Sequence, residues 1–234
     1  MFSMRFKRVL LCILSCILLC LPLLLFACDS NDTHGSQELT PLPPPEPDGG
    51  PFGVDVNINM STIDNYLNRP DVAYFDMRML YDPADFEAIG GISSLTQTLP
   101  GYRIVPFPFI APLGPMPVDG AYDGETLFYI EWGENREIAV IRQNYAEAQI
   151  IFEQIFPKDK IIFLMCGGAG YTSLMRALLF HFGYDETMIY HTGGNWYYEG
   201  NMAVDLRISP TDHNIATWRA NYALIDFDHL TKIG

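Results

Sequence analysis

Positive charge is scarce in this 234-residue chain, where 14 Lys and Arg stand against 28 Asp and Glu for a formal −14. A surface of that sign repels nucleic acid phosphate and anionic headgroups, so neither nucleic acid nor charge-driven membrane binding is expected. Histidine is as thin. His34, His181, His191, His213 and His229 show no ligand spacing with one another, so no metal site follows, and no motif asks for a cofactor. Internal repeats are absent. Of five cysteines, Cys12, Cys16, Cys20 and Cys28 crowd the first 28 positions, which leaves Cys166 with no disulfide partner in a processed chain.

What the N-terminus does have is an export pattern. Arg5, Lys7 and Arg8 precede an uncharged run over residues 9–26, a positive segment followed by an apolar one. The run closes in Leu25-Phe26-Ala27-Cys28, which resembles the bacterial lipoprotein box and implies cleavage after residue 27 with lipid attached to Cys28. The alternative is an uncleaved anchor, because 18 apolar residues nearly span a bilayer. Either way the folded part is expected outside the cytoplasm, held at the cell membrane. Loss of residues 1–27 removes three cations and no acids, leaving 11 against 28, a formal −17. Residues 28–51 are polar and then dense in proline, at Pro41, Pro43, Pro44, Pro45, Pro47 and Pro51, and read as an extended tether.

Beyond the tether, strands and helices alternate, which predicts a single α/β domain with a central parallel sheet, helices on both faces and ligands at the carboxyl ends of strands. Ser61-Thr62-Ile63-Asp64 has the form of a capping box opening a short helix. Residues 72–75 are apolar in succession, as in a strand covered on both sides, and end in Asp76-Met77-Arg78. Asp82 and Pro83 read as the cap and first residue of a second short helix stopped by Gly90-Gly91. Residues 102–105 read as another strand. Residues 111–124 are loop-like, residues 126–132 form a further strand candidate, and residues 137–141 either open the next helix or pair back on that candidate. Helical spacing from Ile141 through Tyr145, Ala148, Phe152 and Ile155 stops at Pro157. Residues 161–165 form a strand, 172–182 a helix closed by Gly183, and 188–190 a last parallel strand. Ser209-Pro210-Thr211-Asp212 is expected to cap a terminal helix through Trp218.

Cys166 sits where the apolar run IIFLM breaks into Gly167-Gly168-Ala169-Gly170, just before a helix. A thiol at a strand's carboxyl end, under a turn whose N–H groups converge and beside a helix N-terminus, is placed to be a thiolate. The bland alternative is a small buried hydrophobe. His191 is either a proton donor reaching the pocket or a hydrogen-bonded rim residue. Asp76 and Arg78 are expected to satisfy one another or backbone and so to orient the loops around the site. Tyr171 lines the pocket or packs beneath it.

Over residues 58–200 the order of motifs resembles a rhodanese domain. VAYFDMR matches that family's strand ending in Asp-x-Arg, DPADFEAIGGI its short acidic helix, LPGYRIVPFP its Pro-Gly strand, IIFLMCGGAGYTSLMRALLFHFGY its active-site strand, loop and helix, and MIYHTGGNWYYEG its closing strand and Gly-Gly turn. Gly167 and Tyr171 stand where the family often has arginine, Gly91 where it has histidine, and residues 111–141 lengthen the chain. The resemblance implies residues 52–203 as the domain, 111–141 as an insertion and 204–234 as a C-terminal helical extension. It also implies sulfur transfer, with Cys166 as the persulfide-bearing nucleophile and Gly167, Gly168, Ala169, Gly170, Tyr171 and Thr172 cradling the substrate. With no cation from Gly167 to Ser173, the expected partner is a neutral small sulfur donor or a protein persulfide. Related phosphatases need an arginine at the loop's end, which Gly170-Tyr171-Thr172 does not supply. The rival of another class is a rhodanese-like binding module without turnover, using the insertion as its recognition surface.

Overall fold

In chain order the regular elements are β1 (Val72–Asp76), β2 (Gln97–Thr98), β3 (Arg103–Ile104), α1 (Phe107–Ile110), β4 (Phe128–Trp132), β5 (Ile138–Gln143), α2 (Ala148–Ile155), β6 (Ile161–Cys166), α3 (Gly170–His181), β7 (Ile189–Gly194), β8 (Val204–Asp205) and β9 (Asn221–Tyr222). They come from a computed structural model that describes residues 39–114, 118–212 and 214–233. The export segment, Cys28, His34 and His213 lie outside the described residues. Residues 43–234 make one unit, and the unit before it is described only over residues 39–42, which hold no regular element. Among the described residues no helix is long and apolar enough to cross a membrane.

The protein is an α/β fold around a five-stranded sheet in the order β7-β6-β1-β3-β9, every neighbouring pair parallel. β1 and β6 occupy the interior of that sheet because their runs are apolar on successive residues and so are buried on both sides. On one face Phe75, Ile162 and Leu164 join a core with Phe152 and Ile155 of α2 and Leu174, Met175 and Leu178 of α3. On the other, Tyr74 meets Tyr102 and Phe163, and Phe163 meets Tyr190, at ring separations of 5.0 to 5.5 Å. With eight residues α2 is too short to hold itself together in water. Burial of Phe152 and Ile155, at about 1.5–3 kcal/mol each, keeps it helical.

Several expectations change. The proline-dense end of the stretch expected as a tether, from Pro43 onward, is folded into the domain. The Tyr190 hydroxyl donates to the Pro43 carbonyl at 2.6 Å, Pro47 bridges to Asp55, and the Asp55 carboxylate accepts from the N–H groups of Glu46, Asn57 and Ile58. The first short helix is one 3-10 turn, Ile63–Tyr66, and the Thr62 hydroxyl donates to the Asn57 carbonyl instead of capping it. Asp82 caps no helix either: its turn is followed only by a 3-10 turn at Glu87–Ile89, stopped at Gly90 with φ +78°. Residues 137–141 pair back, since β5 runs antiparallel to β4, and the following helix therefore starts only at Ala148.

The C-terminal stretch is not a helical extension. Val204–Asp205 pairs with β2, Arg207 bridges to Ile215, and Asn221–Tyr222 adds the fifth strand beside β3. Its helical content is two 3-10 turns, Thr217–Arg219 and Phe227–His229, because the backbone here is spent on sheet pairing.

Candidate functional site

β6 ends at Cys166, whose partner in the ladder is Gly194 of β7. The chain then turns through Gly167 and Gly168 to Ala169, at φ +75°, and enters α3. The turn is tight for a physical reason. A Cβ on Gly194 would collide with the Gly167 carbonyl, and a Cβ on Gly167, Gly168 or Gly91 would run into the Trp196 indole. Trp196 is itself fixed by its backbone N–H, which donates to the Gly167 carbonyl at 3.1 Å. The glycines are thus where backbone and a large ring approach closely, and Gly91 belongs to the same cluster.

Ala169 holds its left-handed conformation with help from His191. The Gly193 N–H donates to His191 Nδ1 at 3.1 Å, which puts the ring proton on Nε2, and Nε2 donates to the Ala169 carbonyl at 3.0 Å. Burial drives the imidazole pKa down to about 4, so the ring is neutral at physiological pH. Both nitrogens are committed, which makes His191 a brace for the loop and removes the proton-donor alternative.

Asp76 and Arg78 behave as expected. Asp76 is fully buried and takes Arg78 bidentately, Nε to Oδ1 at 2.9 Å and Nη2 to Oδ2 at 2.6 Å, while Thr98 donates a third bond. Arg78 also donates to the Asn195 side chain and the Gln97 carbonyl. The pair ties the end of β1 to the segment after β7.

Above these parts lies a cavity of about 140 Å³. Cys166, Gly167, Gly168, Gly170, Tyr171 and Arg78 reach its lining; Ala169, Thr172, Asp76 and His191 stand behind it. Residues not foreseen as part of the site complete it: Phe52 just after the supposed tether, Asp82 and Phe86, Arg136 from the stretch expected as an insertion, and Trp196. Arg136, in the β4–β5 turn, stacks over Phe52 at 4.7 Å and donates to the Pro51 carbonyl at 2.7 Å. The β4–β5 turn and the proline segment therefore meet at the mouth of the thiol pocket. No family model, curated protein or solved structure matches this chain. The chemistry of the site is therefore read from its own atoms.

Cys166 is 2 % exposed, and burial pushes its thiol above the ordinary range. The Thr172 hydroxyl and the backbone N–H groups of Thr172 and Tyr171 work in the opposite direction without overcoming it. The expectation of a depressed thiol pKa thus fails, because desolvation of a buried anion outweighs a few N–H dipoles. The Thr172 hydroxyl lies near the sulfur but completes no well-formed hydrogen bond, and the Asn195 amide nitrogen is likewise unpartnered. Tyr171 does both things weighed for it, since it lines the cavity and packs at 6.1 Å on Phe107. Its hydroxyl donates to Asp82 Oδ2 at 2.6 Å. Among the described residues Asp82 forms no ion pair, and burial raises its pKa despite the bonds from Tyr171 and the Ala84 N–H. Among the described residues no cluster of His, Cys, Asp and Glu is arranged to hold a metal.

Proposed function

We propose that the chain is a rhodanese-like sulfurtransferase, a single domain carried on a membrane-anchored lipoprotein outside the cytoplasm, in which Cys166 holds sulfane sulfur as a persulfide. The observation that carries this reading is the one thiol of the described residues, at the end of a central parallel strand, turned under a glycine loop at the start of α3 and opening on a cavity. In the first half-reaction the sulfur of Cys166 bonds to the donor's outer sulfur. The donor's S–S bond breaks, its electron pair leaves with the donor, and the thiol proton passes to the departing group or to water. In the second, a nucleophilic acceptor bonds to the outer sulfur, the persulfide bond breaks, and its electron pair returns to Cys166. The unpartnered Thr172 hydroxyl and the N–H groups at the loop supply donors for the anionic sulfur in both.

Intact mass is the direct test. Incubation with a sulfane sulfur donor should add one sulfur atom to the wild-type chain, reversibly by a thiol, and none to Cys166→Ser. The buried, high-pKa thiol favours a second reading, a binding module whose cysteine is packing. Under that reading no donor adds sulfur, and alkylation of Cys166 waits for unfolding.

A further inference from the structure

We infer that the partner of this pocket is an amphipathic organic sulfur compound, an apolar body filling the cavity and a single negative charge meeting Arg136, in preference to a small inorganic dianion. The inference rests on the sulfur-transfer reading and narrows its substrate. Size comes first. An apolar cavity of about 150 Å³ stays dry and accepts benzene, and the space above Cys166, about 140 Å³, is lined by Phe52, Phe86, Ile92, Leu95 and Trp196 among others. Walls of that kind strip water from whatever enters and return few hydrogen bonds, a heavy penalty for a doubly charged ion and a gain for a ring or alkyl chain.

Charge comes second. Arg78 lines the cavity, but Asp76 neutralises it bidentately. Asp82 adds a buried carboxyl already bonded by the Tyr171 hydroxyl and the Ala84 N–H, and so brings no positive charge to a ligand. Arg136 is different: its guanidinium stacks on Phe52, only Nη1 hydrogen-bonds, to the Pro51 carbonyl and, at 3.5 Å, the Ser173 hydroxyl, and Nε and Nη2 make no hydrogen bond to the described residues. It stands partly exposed on the cavity lining. One available cation beside an apolar chamber matches one anionic group on an apolar body.

A thiosulfonate has this form, and its reaction balances. Cys–SH and R–SO₂–S⁻ give Cys–S–SH and R–SO₂⁻: the cysteine sulfur bonds to the outer sulfur, the S–S bond of the thiosulfonate breaks, and its electron pair leaves on the sulfinate. The cysteine sulfur is oxidised and the sulfonyl sulfur reduced.

Binding and chemistry are separated by using the full chain with Cys166→Ser and titrating benzenesulfonate and thiosulfate by calorimetry. Benzenesulfonate should bind at least about tenfold more tightly. Arg136→Gln should weaken it about tenfold, and Arg136→Lys should retain most of the affinity. Equal or tighter binding of thiosulfate, no binding of benzenesulfonate, or indifference to Arg136→Gln would each overturn the inference. Wild-type protein is then offered benzenethiosulfonate and thiosulfate, with added sulfur read by mass. Faster loading by benzenethiosulfonate supports the inference. Equal loading by both overturns the preference while leaving sulfur transfer intact. Benzenesulfonate binding as expected with loading by neither upholds the ligand's shape and charge and removes the sulfur chemistry.

Discussion

Replacing His191 with glutamine should flatten the acid side of the stability profile. In the fold the imidazole is held neutral with a pKa of about 4, against an ordinary value of 6.5, because burial disfavours its cation. Above pH 6.5 the ring is neutral folded or unfolded, and its contribution is fully present. Between pH 6.5 and about 4 the unfolded chain takes up a proton that the folded chain refuses, so stability falls as pH falls, by at most about 1.4 kcal/mol per pH unit. From pH 7.5 to pH 5.0 the loss from this one group is about 2 kcal/mol. Urea unfolding of wild type and His191→Gln at both pH values isolates it: the other titrating groups, and the fixed cost of losing the acceptor for the Gly193 N–H, cancel in the difference of differences. The wild-type chain should lose about 2 kcal/mol more than the variant over that interval. A double difference below about 0.5 kcal/mol would refute a neutral imidazole locked between Gly193 and Ala169.

Gly91→Ala should destabilise by about 1–3 kcal/mol through overpacking against Trp196, and Gly91→Ala with Trp196→Leu should recover most of that loss in thermal unfolding; strict additivity would show that the two residues do not meet. Arg78→Met leaves the fully buried Asp76 carboxylate without its partner and should cost about 3–5 kcal/mol in urea titration, whereas a loss under about 1 kcal/mol would mean that the pair contributes little to the fold. Tyr171→Phe removes the hydroxyl that Asp82 accepts and should cost about 1–3 kcal/mol near neutral pH, with an unchanged midpoint as the contrary result.

The central strands could be read because their cause is local. Residues 72–76 and 161–166 are apolar in succession, and a glycine run after the second leaves few ways to continue, so the position of Cys166 and its loop followed directly. β9, in a stretch expected to be helical, carries no such signature. It is two residues long and is a strand only because β3 lies beside it in register, Arg103 with Asn221 and Ile104 with Tyr222. Proline density argued for an extended tether, yet proline has no N–H to satisfy, and carbonyls at Pro43 and Pro51 are taken up by Tyr190 and Arg136 from far along the chain. The pocket's arginine was hidden for the same reason. Its place depends on where a hairpin turn lands in three dimensions, and no spacing within the sequence encodes that. The loop's dipoles are visible in the sequence as glycines, whereas the depth of burial that raises the Cys166 pKa belongs to the whole fold.

The last strand of the sheet sets a clock on folding. β3 gains its outer neighbour only from Asn221–Tyr222, and the Ala223 N–H closes the same edge on the Ile104 carbonyl. During synthesis β1, β3, β6 and β7 all precede that segment, so for much of the chain's emergence β3 is an edge with unpaired donors and acceptors, open to any strand that meets it. Parallel pairing at such sequence separation is slow, since a long loop must close before the contact is rewarded. The interval between the emergence of Tyr190 and that of Asn221 is accordingly the period in which a chaperone has most to protect, and a chain cut between those residues should aggregate through β3.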